Sequence, residues 1–557
     1  MDNLRLLILG CILFGTPLSI FSLKAPGTHS DGMLLPFADR AVELGLAFKH
    51  ERGVSPKKHL TETQGSGCAF LDFDGDGWLD IFFVNGGLAP DTPTTSTDFP
   101  AHALFRNLGG KRFEDVTSRS GIRPTSSYGM GVAVGDIDND GDPDLYITAY
   151  GSNRLYRNEG QGRFVDVTEE AGVRCGGWST SAAFLDYDRD GYLDLYVTRY
   201  LDYDYDRALA CTERGIRSYC HPKNYPGLAD RLYRNLGNGR FEDVSERTGI
   251  ARAEGKGLGV VAADFDDDGW MDLYVANDTT RNLLFKNNRN LTFSEVALLS
   301  GTAYNEEAEP EAGMGVDAGD YNGDGKIDLV VTNYDMETNA LYRNLGLCQF
   351  SDERWPSGLA ATDHFYLGFG AGFLDFDNDG DLDLLLANGH VLDNADQVLD
   401  GIGYLQPAQL IENRNGIFSE NVAFQKWAAQ HQRVGRAAAF GDVDNDGDVD
   451  VLLSTSGQQP MLLINSVGQQ QNWLSVKLVG TQSNRDGVGA KVSLQCKHGV
   501  QSSQIRGGRS YLSAHDLRVH FGLGTCGESA IIRVHWPSGA TQTIRHVRPN
   551  QLLIIEE

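Results

Sequence analysis

Short apolar runs, broken by polar turns that carry glycine, recur along most of the chain. Runs such as Leu145-Tyr-Ile-Thr148, Leu195-Tyr-Val-Thr198 and Leu329-Val-Val-Thr332 are rich in β-branched and aromatic residues and predict strands. A second kind of run ends in asparagine: Leu104-Phe-Arg-Asn107, Leu155-Tyr-Arg-Asn158, Leu232-Tyr-Arg-Asn235, Leu284-Phe-Lys-Asn287, Leu341-Tyr-Arg-Asn344 and Leu410-Ile-Glu-Asn413. After a glycine-bearing turn each leads to a short run that starts with phenylalanine, from Phe113-Glu-Asp to Phe418-Ser-Glu, which predicts hairpins.

Before each strand-forming run stands an acidic loop. The first reads Asp72-Phe-Asp74-Gly-Asp76-Gly77-Trp-Leu-Asp80. The same register returns at Asp136, Asp138, Asp140 and Asp144; at Asp186, Asp188, Asp190 and Asp194; and at Asp264, Asp266, Asp268 and Asp272. Three more copies carry Asp320, Asn322, Asp324 and Asp328; Asp375, Asp377, Asp379 and Asp383; and Asp442, Asp444, Asp446 and Asp450. Successive copies start 64, 50, 78, 56, 55 and 67 residues apart, which suits a four-stranded blade with variable loops.

The seventh loop is followed by Met461-Leu-Leu-Ile-Asn465 but by no phenylalanine-led run; that run, Phe37-Ala-Asp39, stands ahead of the first loop. Supplying the last blade's outer strand from the N-terminal side closes the ring and leaves no open edge. The expected fold is therefore all-β: a seven-bladed β-propeller over residues 34–468, then a small all-β domain over 472–557. Trp473-Leu-Ser-Val-Lys-Leu478, Ala490-Lys-Val-Ser-Leu494 and Ile531-Ile-Arg-Val-His535 alternate as its strands.

Alternate carboxylates with glycine at the sixth position are what a hard divalent cation requires: several oxygens and a sharp turn. The seventh position varies (Trp78, Asp142, Tyr192, Trp270, Lys326, Asp381, Asp448), as it can if only its carbonyl is used. An EF-hand would need glutamate at position 12, where Phe83, Ile147, Val197 and their counterparts stand, so the expectation is up to seven structural Ca²⁺ in β-blade loops.

Charge and composition narrow the function. With 48 basic and 76 acidic residues the formal charge is −28, which disfavours nucleic acid and anionic lipid as partners and favours cations. The apolar stretch Leu6 to Leu23 behind Arg5, interrupted by Gly15, Thr16, Pro17 and Ser19, reads as a secretory signal over residues 1–23, so the mature chain is expected outside the cytoplasm, secreted, periplasmic or at the cell surface, with no membrane span. In that compartment Cys211 with Cys220 and Cys496 with Cys526 are disulfide candidates.

The acidic repeats resemble the FG-GAP repeats of integrin-type propellers and the related VCBS repeats. The segment from Asn472, with Ser483-Asn-Arg-Asp-Gly-Val-Gly489, Ser510-Tyr-Leu-Ser513, His520-Phe-Gly-Leu-Gly524 and Trp536-Pro-Ser-Gly539, resembles the ASPIC/UnbV domain. Together they match the architecture of the cartilage acidic protein family.

Three connections between second and third strands are enlarged, Gly86 to Ala103, Tyr200 to Arg231 and Gly389 to Gln409, on the face away from the acidic loops. That face is where recognition is expected, with Tyr150, Trp178, Arg199, Tyr200, His221, Tyr225, Asn277, Asn333 and His390 as candidates. Two functions compete: a non-catalytic binding or adhesion protein for an extracellular protein or glycan, and a polysaccharide lyase using His390 or His221 with Tyr200 and Arg199. No nucleophile elbow or HExxH motif is present, which favours binding. Arg485, Asp486, Arg506 and Arg509 are candidates for a contact patch in the C-terminal domain.

Overall fold

The structure is a computed structural model describing residues 34–557 apart from 91, 93–98, 498 and 529. The expected signal segment, residues 1–23, lies outside the described residues, as does part of the first enlarged connection.

Seven sheets of antiparallel strands are built in the same order. In the third, Ser179–Leu185 runs into the acidic loop and Asp194–Arg199 leaves it; Arg231–Asn235 and Phe241–Asp243 complete the sheet. The last sheet takes Gly435–Gly441, Asp450–Thr455 and Met461–Asn465 from its own stretch of chain, and its fourth strand is Phe37–Asp39. Phe37 stands opposite Asn465 and Asp39 opposite Leu463, which joins the two ends of the ring by backbone hydrogen bonds. Aliphatic and aromatic faces of neighbouring blades pack into separate cores between sheets. One joins Phe82, Leu104, Val132, Leu145 and Tyr156 of blades 1 and 2.

The C-terminal domain packs two sheets, Asn472–Val479 between Val519–Gly524 and Leu552–Glu556, and Lys491–Cys496 among Gly499–Gln504, Ala530–His535 and Thr541–Val547. It does not merely follow the propeller. It sits on the acidic-loop face: Asp486 accepts a hydrogen bond from Asp136 N at 2.8 Å, Arg485 N donates to Asn139 Oδ1 at 2.8 Å, and Lys491 reaches Asp267 at 2.6 Å. The chain around Gly507 to Asp516 then enters the central channel. Ser513–Ala514 adds a parallel strand to Cys68–Leu71 of blade 1, Gly507 O accepts from Phe184 N, Ser510 bridges to Val316, and Asp516 N donates to Phe440 O. Gly507 and Gly508 lie against the inner strand of blade 3 so closely that a Cβ would meet Phe184 O at 2.1 Å and Ala183 Cβ at 2.5 Å.

The other end of the channel is closed by the segment between Phe48 and Ser66, the link from blade 7 to blade 1. Arg52 binds Tyr219 Oη at 2.9 Å, Lys58 binds Asp393 at 2.6 Å, and Glu62 accepts from Ser55 Oγ and Tyr219 Oη, both at 2.8 Å. The two closures touch inside the channel, where Tyr511 Oη donates to the Gln64 side chain at 2.8 Å.

Candidate functional site

Each acidic loop is shaped by its first aspartate, which accepts the N–H groups of positions 5 and 6. These bonds span 2.7 to 3.1 Å in all seven loops. The chain can turn back this tightly because two positions take left-handed backbone. Position 6 is glycine throughout, with φ between 84° and 103°. Position 4 is Gly75, Asn139, Arg189, Asp267, Gly323, Asn378 or Asn445, all with positive φ.

The ninth aspartate ties the loop to the third strand of its own blade. One oxygen accepts the N–H of position 2 at 2.9 to 3.3 Å. The other accepts the N–H of the asparagine that ends the third strand, at 2.7 to 2.8 Å. That asparagine's amide in turn donates to the position 2 carbonyl one blade back: Asn107 to Val443, Asn158 to Phe73, Asn235 to Ile137, Asn287 to Tyr187, Asn344 to Phe265, Asn413 to Tyr321 and Asn465 to Phe376, at 2.7 to 2.9 Å. The acidic loops and the joints between blades are therefore one hydrogen-bonded belt. The sequence displays these asparagines, but their partners lie a whole blade away, and the hairpin reading missed the belt.

The four acidic positions are not equivalent. Positions 1, 3 and 9 bring oxygens within 4.8 Å of one another in Asp72, Asp74 and Asp80; Asp136, Asp138 and Asp144; Asp186, Asp188 and Asp194; Asp264, Asp266 and Asp272; and Asp375, Asp377 and Asp383. The position 5 aspartates are not in these groups: the Oδ1 of each accepts from the N–H two residues on, as that of Asp76 does from Trp78 N at 3.1 Å. Position 3 is the open one. The Oδ1 atoms of Asp74, Asp138, Asp188, Asp266 and Asp444 are buried with no hydrogen-bond partner. Their Oδ2 side is met in three blades by a basic residue from the third strand: Arg106 lies 2.6 Å from Asp74, Arg234 2.5 Å from Asp188, and Lys286 pairs with Asp266. In blades 6 and 7 that strand position holds Glu412 and Ile464 instead.

Burial, reinforced by the neighbouring carboxylates, pushes the aspartates upward: Asp80 to about 8, Asp136 to about 7, Asp186 to about 7 and Asp442 to about 7. Loop 5 differs, since Asn322 turns its Nδ2 towards Asp328 at 3.3 Å and so supplies a donor of its own.

On the opposite face the nine recognition candidates are mostly enclosed. Trp178, Tyr200, Tyr225, Asn277, Asn333 and His390 are buried. Trp178 packs edge-on against Tyr150, Tyr200 and Tyr203 with ring centroids 5.7, 5.0 and 5.5 Å away. Tyr225 Oη accepts from Leu209 N, Tyr200 bonds to Asp278, and Asn277 and Asn333 donate to Arg281 O and Thr338 O. His390 Nε2 lies 3.1 Å from Asp335, and its Nδ1 accepts from Leu392 N. Tyr150 and Arg199 are half-buried, with Arg199 donating to Gly176 O, and His221 is exposed. These side chains build the lid over the channel. An enlarged loop needs its own apolar filling, and the Tyr200 to Arg231 insertion draws it from the aromatics that its sequence offers.

The Cys211–Cys220 disulfide closes the hairpin in that insertion. Cys496 and Cys526 form no disulfide; Cys496 ends the strand Lys491–Cys496, Cys526 follows a strand of the other sheet, and both side chains serve the C-terminal core.

The FG-GAP-like repeat family matches residues 72–147, 136–197, 224–275, 264–331 and 320–386, and the ASPIC and UnbV family matches 480–557. The chain belongs to the FG-GAP-like repeat family and ends in an ASPIC/UnbV domain. Cartilage acidic protein 1 of Homo sapiens is 26% identical over 532 residues, 93% of this chain and 67% of that protein. Its Xenopus tropicalis counterpart is 26% identical over 533 residues, 88% of this chain and 73% of that protein. Among solved structures, the BP39L lectin of Burkholderia pseudomallei is 10% identical with a TM-score of 0.41, covering 73% of this chain and 97% of the lectin.

Within this FG-GAP protein the seventh loop lies beyond the matched repeats, yet it carries the same belt bonds as the other six. Arg485 and Asp486 contact the chain's own second loop. No helix among the described residues is long and apolar enough to cross a membrane.

Proposed function

We propose that the chain is an extracellular, calcium-stabilised propeller that works as a non-catalytic binding or adhesion protein for a protein or glycan. The observation that carries the calcium reading is the row of buried, unpartnered Oδ1 atoms at position 3, of which those of Asp74, Asp138, Asp188 and Asp266 lie inside groups of converging carboxylates. A buried charged oxygen without a donor is costly, and a hard cation with oxygen ligands removes that cost. Positions 1, 3 and 9 would hold the ion, the position 7 carbonyl is a further oxygen, and loop 5, with its internal amide donor, would hold it most weakly. The ion's part is to cancel charge in the belt, so it is structural. Binding is preferred to lyase chemistry because His390, Tyr200 and Arg199 are each committed to a packing partner. The Cys211–Cys220 disulfide suits an oxidising compartment.

Equilibrium dialysis of the full chain against calcium, with the bound metal counted, is expected to give five or more ions per chain, from the number of converging groups; two or fewer would sink the calcium reading. A glycan array run alongside capture of surface proteins tests the binding reading. Release of unsaturated sugar from a polysaccharide panel would replace it with the lyase.

A further inference from the structure

Between the C-terminal domain and the acidic loops of blades 5 to 7 lies a cleft of about 160 Å³. Phe373 and Phe440 form part of its wall, and Arg506, Arg509 and Arg518 bring three guanidinium groups to it. Most of its charges are already matched. Arg518 pairs with Asp516 at 2.6 Å and donates to Asp442 O at 2.8 Å. Arg509 pairs with Asp317 at 3.0 Å and lies over the Phe440 ring. Asp320, Asp375 and Asp442 turn both oxygens to N–H groups of their own loops, and Asp381 accepts from Asn415 N. His520 bonds to Asn378, and burial pushes it down to about 4, so it is neutral at ordinary pH.

Arg506 is left over. Its Nε is sealed from solvent and has no hydrogen-bond partner. The carboxylate that favours its charge, Asp317, is the one Arg509 already holds, and Arg509 itself opposes that charge. Burial lowers the guanidinium to about 10. A guanidinium whose Nε is buried without an acceptor is costly unless an anion completes it.

We propose that this cleft is an oxyanion site, in which Arg506, with Arg509 beside it, takes the carboxylate, sulfate or phosphate group of a small acidic ligand. The flat guanidinium fork suits two-point binding of such a group, and the aromatic wall suits the apolar body that carries it. The inference stands on the arginines and not on metal in the loops.

The test is calorimetric titration of the full chain with glucuronate, sodium sulfate and inorganic phosphate at constant ionic strength, in chelator and again in calcium. Saturable binding of one ligand per chain is expected, weakened about tenfold or more by Arg506→Gln, the scale of a lost charged hydrogen bond. Glucuronate alone would mark a carboxylate site; sulfate or phosphate would mark a tetrahedral one. Because Arg506 adjoins the inserted segment, Ser502→Trp, which fills the cleft from its wall, serves as a second variant and should abolish the same heat. The proposal is overturned if no probe binds saturably, if both variants bind like the parent, or if binding needs calcium and survives Arg506→Gln, which would place the anion on the metal.

Discussion

The two ends of the central channel are closed by opposite strategies. At the loop end one set of bonds is made seven times: first aspartate to its own turn, ninth aspartate to the asparagine, asparagine to the blade behind. At the lid end the closing segment makes its contacts singly. Arg52, Glu62, Tyr219 and Asp393 meet once, from three distant stretches of chain. A repeated closure spreads its charge and its stability around the ring, so losing one copy is tolerated but losing what all copies share is not. A single closure depends on individual residues.

The contrast can be broken most severely at the loop end by withdrawing the proposed calcium. If calcium fills the loops at affinities of about 10⁻⁴ to 10⁻³ M, a calcium concentration of about 10 mM contributes roughly 1.4 to 2.7 kcal/mol per occupied loop. Chelator should therefore lower the melting temperature in scanning calorimetry by far more than any point substitution; an unchanged melting curve would remove the ion from the account. The chelated protein should also become less stable as pH rises. Its aspartates have folded pKa values above the unfolded one, so their contribution is fully present below about pH 4 and is lost through about 6 to 8, the range set by Asp264 at about 6, Asp136 at about 7 and Asp328 at about 8. A melting temperature in chelator that climbs between pH 5 and 8 contradicts this.

Next comes the contact that joins the two closures. Tyr511 is fully buried and donates to Gln64, so Tyr511→Ala should cost about 3 to 5 kcal/mol in denaturant unfolding, as for other large-to-small core changes. A cost below about 1 kcal/mol would mean that the C-terminal insertion is not part of the propeller's stability.

The belt gives a smaller, local effect. Asn235→Ala leaves Ile137 O and Leu193 O without their donor and should cost about 1 to 3 kcal/mol. The same substitution at Asn287 should give a similar value, because the bonds are the same. Strongly unequal values would show that the blades are not equivalent at this level.

Smallest in its effect on the main melting transition is the lid disulfide. Cys211→Ser with Cys220→Ser releases a loop with a sequence separation of 9. The chain-entropy estimate for so short a loop is roughly 2 to 3 kcal/mol, but the release falls on the lid alone. Limited proteolysis should cut between residues 205 and 225 before any change in the main melting transition. If cutting starts in the blades instead, the insertion is part of the global fold.

The fold class was legible because strand alternation, turn chemistry and the seven acidic loops are local signals that do not need distant partners to be recognised. Equivalence of the loop aspartates was legible only as spacing. Asp74 and Asp76 look interchangeable in the sequence, yet one keeps a buried oxygen without a partner while the other spends an oxygen on the N–H of Trp78. Trp178, Tyr200 and His390 have the composition of a recognition surface, and only packing shows them filling the space beneath an insertion. Nothing in Ser510-Tyr-Leu-Ser513 marks it as a segment that enters a channel; its partners, Val316, Gln64 and Ala438, lie in three separate stretches of the propeller.

By itself the sequence determined the strands, the turns and the carboxylate register, since each follows from the preferences of residues a few positions apart. Only the tertiary structure decided which oxygens remain without donors, which blade each asparagine holds, and that the last domain fills the hub of the first. Those outcomes depend on desolvation and on partners tens to hundreds of residues away, and a chain reveals them only once it has closed on itself.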